Sequence, residues 1–383
     1  MKVSGKSLKV NVVQSLLLVA LLVTLLSGCA GKTAGPGGPV FFPPAPDEPH
    51  VQYLMGINDS TDIEGKPTGF SLLLTGSEQG GVIKKIGKAY GVLAQNGKLY
   101  ICSIGGAQII TIDFAKKTFD FLKGNVRGPG SLKKPTNIAL DKEGNLYVAD
   151  PGRGDIAVYA PDGSYLKSLG RGVNPEAAKT TIVSVALYDD LLYALDSRGN
   201  QILVLNRLTG ELVRTMGSDP DGKNSVALPS NLIMDPEGFL FVTNVGKANV
   251  MKFDRDGNFL YQFGKSSDRS GGFARPKGIA IDNDGWIYVV DAAFSNVQIF
   301  GKDAKSLLGV FGSPGLPAGS LNLPAGVAVS TDNLDYFQKL AAPDFILKKI
   351  VYVVNQSVSV INPTVSVYGI GEMKGSKSGG GSK

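Results

Sequence analysis

Few residues in this chain are equipped for chemistry. There is one histidine, His50, and there are two cysteines, Cys29 and Cys102, among 383 residues. A zinc site built on histidines is therefore excluded, because one imidazole cannot supply the ligand set. Acidic turns recur as Asp141-Lys142-Glu143, Asp235-Pro236-Glu237 and Asp282-Asn283-Asp284. Calcium needs several carboxylate or carbonyl oxygens converging on one point, whereas these acids sit on separate turns and are read as solvated turn residues. The short apolar strands before such turns open with Gly91, Asn137, Ser184, Asn231, Gly278 and Gly326. Arranged around an axis, these six would present two amides, one hydroxyl and no carboxylate. Asn137, Ser184 and Asn231 are thus candidate axial-channel residues, with no metal, cofactor or catalytic residue expected. Asp150, Asp196 and Asp291, at strand ends, are read as turn caps.

The elements that must position these residues repeat along the chain. A short apolar strand, an acidic Gly turn and a second strand recur, most clearly in 137–150 (NIALDKEGNLYVAD), 231–244 (NLIMDPEGFLFVTN) and 278–291 (GIAIDNDGWIYVVD). The closing polar residues Ser103, Asp150, Asp196, Asn244, Asp291 and Asn355 are separated by 47, 46, 48, 47 and 64 residues. A period near 47 with four strands per unit is that of a propeller blade. Tyr100, Tyr147, Tyr193, Phe241, Tyr288 and Tyr352 keep the same beat. Because side chains alternate across a strand, a fixed offset assigns all six aromatics to the core between neighbouring blades. With 50 glycines and 21 prolines, the composition suits a turn-rich all-β chain and stays below the low-complexity range.

Closure is written at the ends. Gln52–Gly56 (QYLMG) matches the outermost-strand segment Val213–Gly217 (VRTMG), and Val365–Gly369 (VSVYG) matches the third-strand segment Val297–Gly301 (VQIFG). The N-terminal strand is therefore expected to complete the last blade and remove the exposed edges. The 64-residue step carries about 17 extra residues, and 332–340 (DNLDYFQKL) has the polar start and apolar spacing of a short helix. It is placed as an insertion between the first two strands of blade six, where it either caps one end of the ring or contributes to binding.

The apolar run 12–26, preceded by Lys2, Lys6 and Lys9, is too short to span a bilayer and has the form of a signal h-region. It ends Leu26-Ser27-Gly28-Cys29, which resembles the bacterial lipobox, and that resemblance implies a diacylglyceryl group on Cys29 and a palmitate-type anchor. Ala30 and Gly31 in place of aspartate favour the outer membrane by the same resemblance. The expected organisation is a signal peptide at 1–28, a lipid-anchored Gly/Pro-rich tether at 29–50 that does not pack, a propeller at 51–371 and a Gly/Ser/Lys tail at 372–383. Cys102, mid-strand, is read as a small buried hydrophobe.

The motif in 276–291 (PKGIAIDNDGWIYVVD) resembles the NHL repeat, and the likeness covers 51–371. It implies an all-β, six-bladed NHL-type propeller closed by its N-terminal strand, with a short helical insertion in the last blade. The YFQ insertion and the VVNQ and VYGIGE segments are similar to bacterial six-bladed propeller lipoproteins, and relatives of this propeller type resemble components encoded beside multihaem cytochromes.

Charge adds one lead. The net charge is +6. The hairpins between first and second strands of blades two to five hold eight acids against one base, whereas the loops between blades are basic. Lys265, Arg269, Arg275, Lys277, Arg127, Lys133 and Lys134 form a candidate face for a protein or anionic surface partner. The resulting expectation is a membrane-anchored, non-catalytic scaffold or binding module, not an enzyme, organising multihaem cytochromes or other surface assemblies. The alternative is a small-molecule hydrolase or lyase acting in the axial channel. Secretion argues against nucleic acid.

Overall fold

The computed structural model describes residues 38–44, 46–48, 50–66, 83–125, 128–173, 180–219, 221–314, 318–357 and 362–375. Six antiparallel sheets are present among them, five of four strands and one of five. Each sheet is a blade whose innermost strand lines the axis. These inner strands are Ala89–Gln95, Asn137–Leu140, Ile182–Tyr188, Pro229–Met234, Pro276–Ile281 and Pro324–Ser330.

The last blade closes the ring as the end-matching predicts. Val51–Ile57 pairs antiparallel with Val365–Met373, so strands from the two ends of the propeller share one sheet. One expectation is corrected here: the tether does not remain wholly unpacked. Phe41–Phe42 adds a fifth strand outside Val51–Ile57, and Phe42 is buried against Phe311 and Tyr368. Two large aromatic side chains outweigh the surrounding prolines, because burying each ring contributes roughly 2–3 kcal/mol.

Six buried apolar clusters fill the six seams between adjacent blades. The repeated aromatics belong to this core. Tyr147, Tyr193, Phe241, Tyr288 and Tyr352 are buried, and Tyr100 is half-buried. Cys102 is a fully buried free thiol, held in its neutral form by burial. The insertion helix is Leu334–Gln338, between the first two strands of blade six. Its Phe337 packs on Phe114 and Tyr352, and the side chain of Asn333, just before the helix, donates to the Gly97 carbonyl of blade one.

The strand-end residues act as caps on the loops that enter each blade. Asp150 accepts from the amides of Lys133, Lys134 and Arg153, and Asp291 from those of Ala274, Arg275, Ala293 and Phe294. Asp196, Asn244 and Asn355 do the same for the Thr181, Ala227 and Asn322 amides. All five are buried, so each satisfies backbone donors that would otherwise lose water without replacement.

Candidate functional site: the axial channel

The inner strands converge most tightly at the end that carries the loops between blades. A Cβ on Gly278 would lie 2.7 Å from Gly326 Cα, and one on Gly326 would lie 2.6 Å from the Tyr90 carbonyl oxygen. Only glycine permits backbones this close. Across the rest of the ring runs a chain of polar contacts. Ser184 Oγ donates to Asn231 Oδ1 at 3.0 Å, Asn137 Nδ2 reaches the same oxygen at 3.5 Å, and the Val185 amide donates to Asn137 Oδ1. The sequence-predicted trio Asn137, Ser184 and Asn231 is thus brought together, as a plug that narrows the loop-face end.

Beyond the plug the channel widens into a cavity of about 270 Å3 walled by aliphatic residues of all six inner strands. It carries no titratable side chain. At the hairpin face a second cavity of about 470 Å3 lies between blades one, five and six. The two cavities have Ala94, Gln95, Ile281 and Val329 in common, so the channel opens on the hairpin face.

Charged groups collect at this opening. Lys349 Nζ lies 2.5 Å from Asp282 Oδ2, 2.6 Å from Asp284 Oδ2 and 4.2 Å from the centre of the Trp286 ring. Tyr288 donates to the same Asp282 oxygen at 2.8 Å, while Asp282 Oδ1 accepts from the Asp284 and Trp286 amides. Burial and the Asp282 charge push the Tyr288 hydroxyl far above its ordinary range, so it remains a donor. Lys349 and Asp282 are buried, whereas the Asp284 side chain is 65% exposed. Asp332 completes the rim and accepts from the Gly97 amide. Among the described residues, no three His, Cys, Asp or Glu side chains group as metal ligands.

The reading of the hairpin acids as solvated is corrected. Asp141 and Asp282 are buried, because a side chain from the next blade reaches each of them. Arg207 pairs with Asp141 and Glu143, Lys302 with Glu237, and Lys349 with Asp282. The hairpin face is therefore not the unopposed acidic surface that a count along the hairpins implies. Lys349, Trp286 and Tyr288 were missed as site residues. Their signal was present in 345–355 (FILKKIVYVVN), where two lysines interrupt a strand that is otherwise apolar, and in the chain's one tryptophan.

The other predicted residues fall elsewhere. Lys133, Lys134, Lys265, Arg269 and Arg275 are exposed in loops between blades, and Lys277 is half-buried at the start of an inner strand. Arg127 and Cys29 lie outside the described residues, as does the signal segment.

No family model matches the chain. Among solved structures, a protein of unknown function from Bacteroides thetaiotaomicron is 16% identical with a TM-score of 0.54, covering 84% of this chain and 76% of its own. Streptogramin B lyase is 13% identical with a TM-score of 0.50, covering 74% and 83%. Virginiamycin B lyase from Staphylococcus aureus is 14% identical with a TM-score of 0.48, covering 75% and 85%. At these identities the likeness concerns the fold. The expectation of a non-catalytic scaffold that is not an enzyme is corrected to this extent: the architecture does not by itself exclude an enzyme. That expectation rested on the lack of histidine zinc ligands and of carboxylates on the axis, whereas the same architecture is that of a lyase.

Proposed function

We propose that the protein is a small-molecule hydrolase or lyase whose reacting groups stand where the axial channel opens on the hairpin face. One observation carries the reading: Lys349, Asp282 and Asp284 form a partly desolvated charge cluster lining the hairpin-face cavity, which shares wall residues with the axial one. Streptogramin B lyase, by its name, is a lyase on this architecture. Hydrolysis of a carbonyl compound and elimination next to a carbonyl need the same two parts, a base and a group that holds developing negative charge on oxygen. An ammonium has three N–H donors. Two of those on Lys349 face carboxylates, leaving one for a substrate oxygen, and exposed Asp284 is the candidate base.

In hydrolysis, Asp284 takes a proton from water as the water oxygen bonds to the carbonyl carbon. The bond from that carbon to the leaving group then breaks, and the leaving group departs with its electron pair and the proton from Asp284. In elimination, Asp284 takes a proton from the carbon beside the carbonyl, and the freed electron pair expels the leaving group. Asp282, fixed by Tyr288 and two amides, positions Lys349 in both. The test screens the full chain against lactones, aryl esters and β-substituted carbonyl compounds beside Asp284→Asn. The expected result is turnover that falls at least 100-fold in the variant with its thermal midpoint nearly unchanged. An inert wild type across the panel, or turnover undiminished in Asp284→Asn, contradicts the reading.

The propeller is further proposed to be of the NHL kind, displayed at the cell envelope, with an outer-membrane anchor favoured. The sequence Leu26-Ser27-Gly28-Cys29 after an apolar run supports this. Each buried acyl methylene contributes about 0.8 kcal/mol, so two chains hold a protein durably. Cys29→Ser is expected to move the protein from the membrane fraction to the soluble one. A variant that still pellets after a high-salt wash contradicts the anchor.

A further inference from the structure

The opposite end of the channel carries an ionic arrangement of another kind. Lys277 occupies an irregularity in the ladder of its inner strand, where the pairing shifts between Pro276 and Ile279. Tyr90 occupies the equivalent irregularity in blade one, between Ala89 and Val92. Such bulges turn side chains out of the regular alternation and recur beside functional sites. The inner strand of blade six lies between these two, and there the corresponding residue is Ala325, which has no side chain beyond Cβ. Lys277 reaches toward blade one, with its ammonium 5.3 Å from the centre of the Tyr90 ring and 3.4 Å from Gln356 Oε1.

Among the described residues no carboxylate pairs with this ammonium. Every ion pair among the described residues involves other bases, and none includes Lys277, Arg275 or Lys88. Arg275 stands two residues before Lys277, and Lys88 two residues before Tyr90. Burial, then repulsion from Arg275 and Lys88, lowers the affinity of Lys277 for its proton. Lys277 is thus half-buried with an amide oxygen and an aromatic face beside it, and the charges of Arg275 and Lys88 oppose its own. A negatively charged oxygen group placed there relieves both the desolvation and the repulsion.

We propose that Lys277, Arg275 and Lys88 form a binding site for a small multivalent oxyanion, a phosphate or a polycarboxylate, at the plugged, loop-face end of the propeller. The site is separate from the hairpin-face opening and stands whether or not the proposed reaction does. An anion here restores the proton affinity of Lys277, so binding weakens as pH rises through the lysine's lowered pKa. The amide of Gln356 turns to donate its N–H groups once the anion arrives.

Trace acetylation of the full chain, read lysine by lysine by mass spectrometry at fixed ionic strength, tests the site with inorganic phosphate and with citrate as separate probes. The expected result is that at least one probe slows labelling of Lys277 threefold or more relative to the exposed Lys133 and Lys134. Protection by phosphate alone assigns a phosphate group, and protection by citrate alone a polycarboxylate. In Arg275→Gln and Lys88→Gln, at exposed positions, protection is expected to fall by at least half. If neither probe slows Lys277 relative to Lys133, or if protection is undiminished in both variants, the site is overturned.

Discussion

The two ends of the axial channel are built from the same six strands and solve opposite problems. At the hairpin face a buried lysine is held between two carboxylates and the channel is open. At the loop face neutral amides and a hydroxyl narrow the channel, and the nearby lysine has no counter-ion among the described residues. The difference shows that a symmetric frame can separate charge functionally. Blade six supplies Lys349 at one end and only Ala325 at the other, so the seam between blades five and six is ion-paired below and cationic above.

The comparison breaks first at the paired end. Lys349→Met leaves Asp282 buried without its cation, and removing one partner of a buried pair costs about 3–5 kcal/mol. The expected outcome is a urea midpoint well below wild type with an unchanged slope. A midpoint equal to that of wild type means the pair is not desolvated as described.

At the plugged end the effect is smaller. Asn231→Leu removes the amide oxygen that receives both Ser184 and Asn137. Leaving a buried partner such as Ser184 short of a hydrogen bond costs about 1–3 kcal/mol. Urea unfolding measures this loss, and a loss equal to that of Lys349→Met removes the distinction between the two ends.

The smallest effect concerns the sign of a pH dependence. Lys277 titrates below the ordinary 10.5 when folded. Between its folded and unfolded pKa values the unfolded chain binds more protons, so this residue makes stability rise with pH across that window. Below the window its charged form is a burden on the fold. Lys277→Met is expected to stabilise the protein at neutral pH and to lose that advantage as pH climbs toward 10.5. Thermal midpoints of both proteins across the range give the answer, and parallel curves contradict a destabilised cation.

How far the sequence discloses these ends depends on what each contact requires. The blades, the closing strand and the capping residues are legible because each follows from one repeated spacing, and the ring position of Asn137, Ser184 and Asn231 follows from it too. The Lys349–Asp282 contact joins residues 67 apart in neighbouring blades. The spacing sets which blades adjoin, yet nothing in it says which hairpin acid a side chain from the next blade will cover. Solvation of Asp141 and Asp282 was misjudged for that reason. Lys277 is hidden differently: a bulge, which pattern counting treats as a regular strand, sets its burial. Phe41–Phe42 is masked by the prolines around it, although two adjacent aromatics are unusual in a chain segment that stays free of the core.

The central claim is that reaction occurs at the hairpin-face opening and not at the loop-face plug. Val329 lines both cavities at their junction and also packs against the core between blades five and six, so Val329→Trp fills the passage and its activity is read beside its thermal midpoint. The decisive measurement is kcat/KM, on a substrate found active with wild type, for Val329→Trp and Lys277→Met side by side. A loss of at least 100-fold is expected in the first and a change within about twofold in the second, a gap of at least ~2.3 kcal/mol in transition-state stabilisation. Retained activity in Val329→Trp with loss in Lys277→Met contradicts the claim and moves the chemistry to the opposite face.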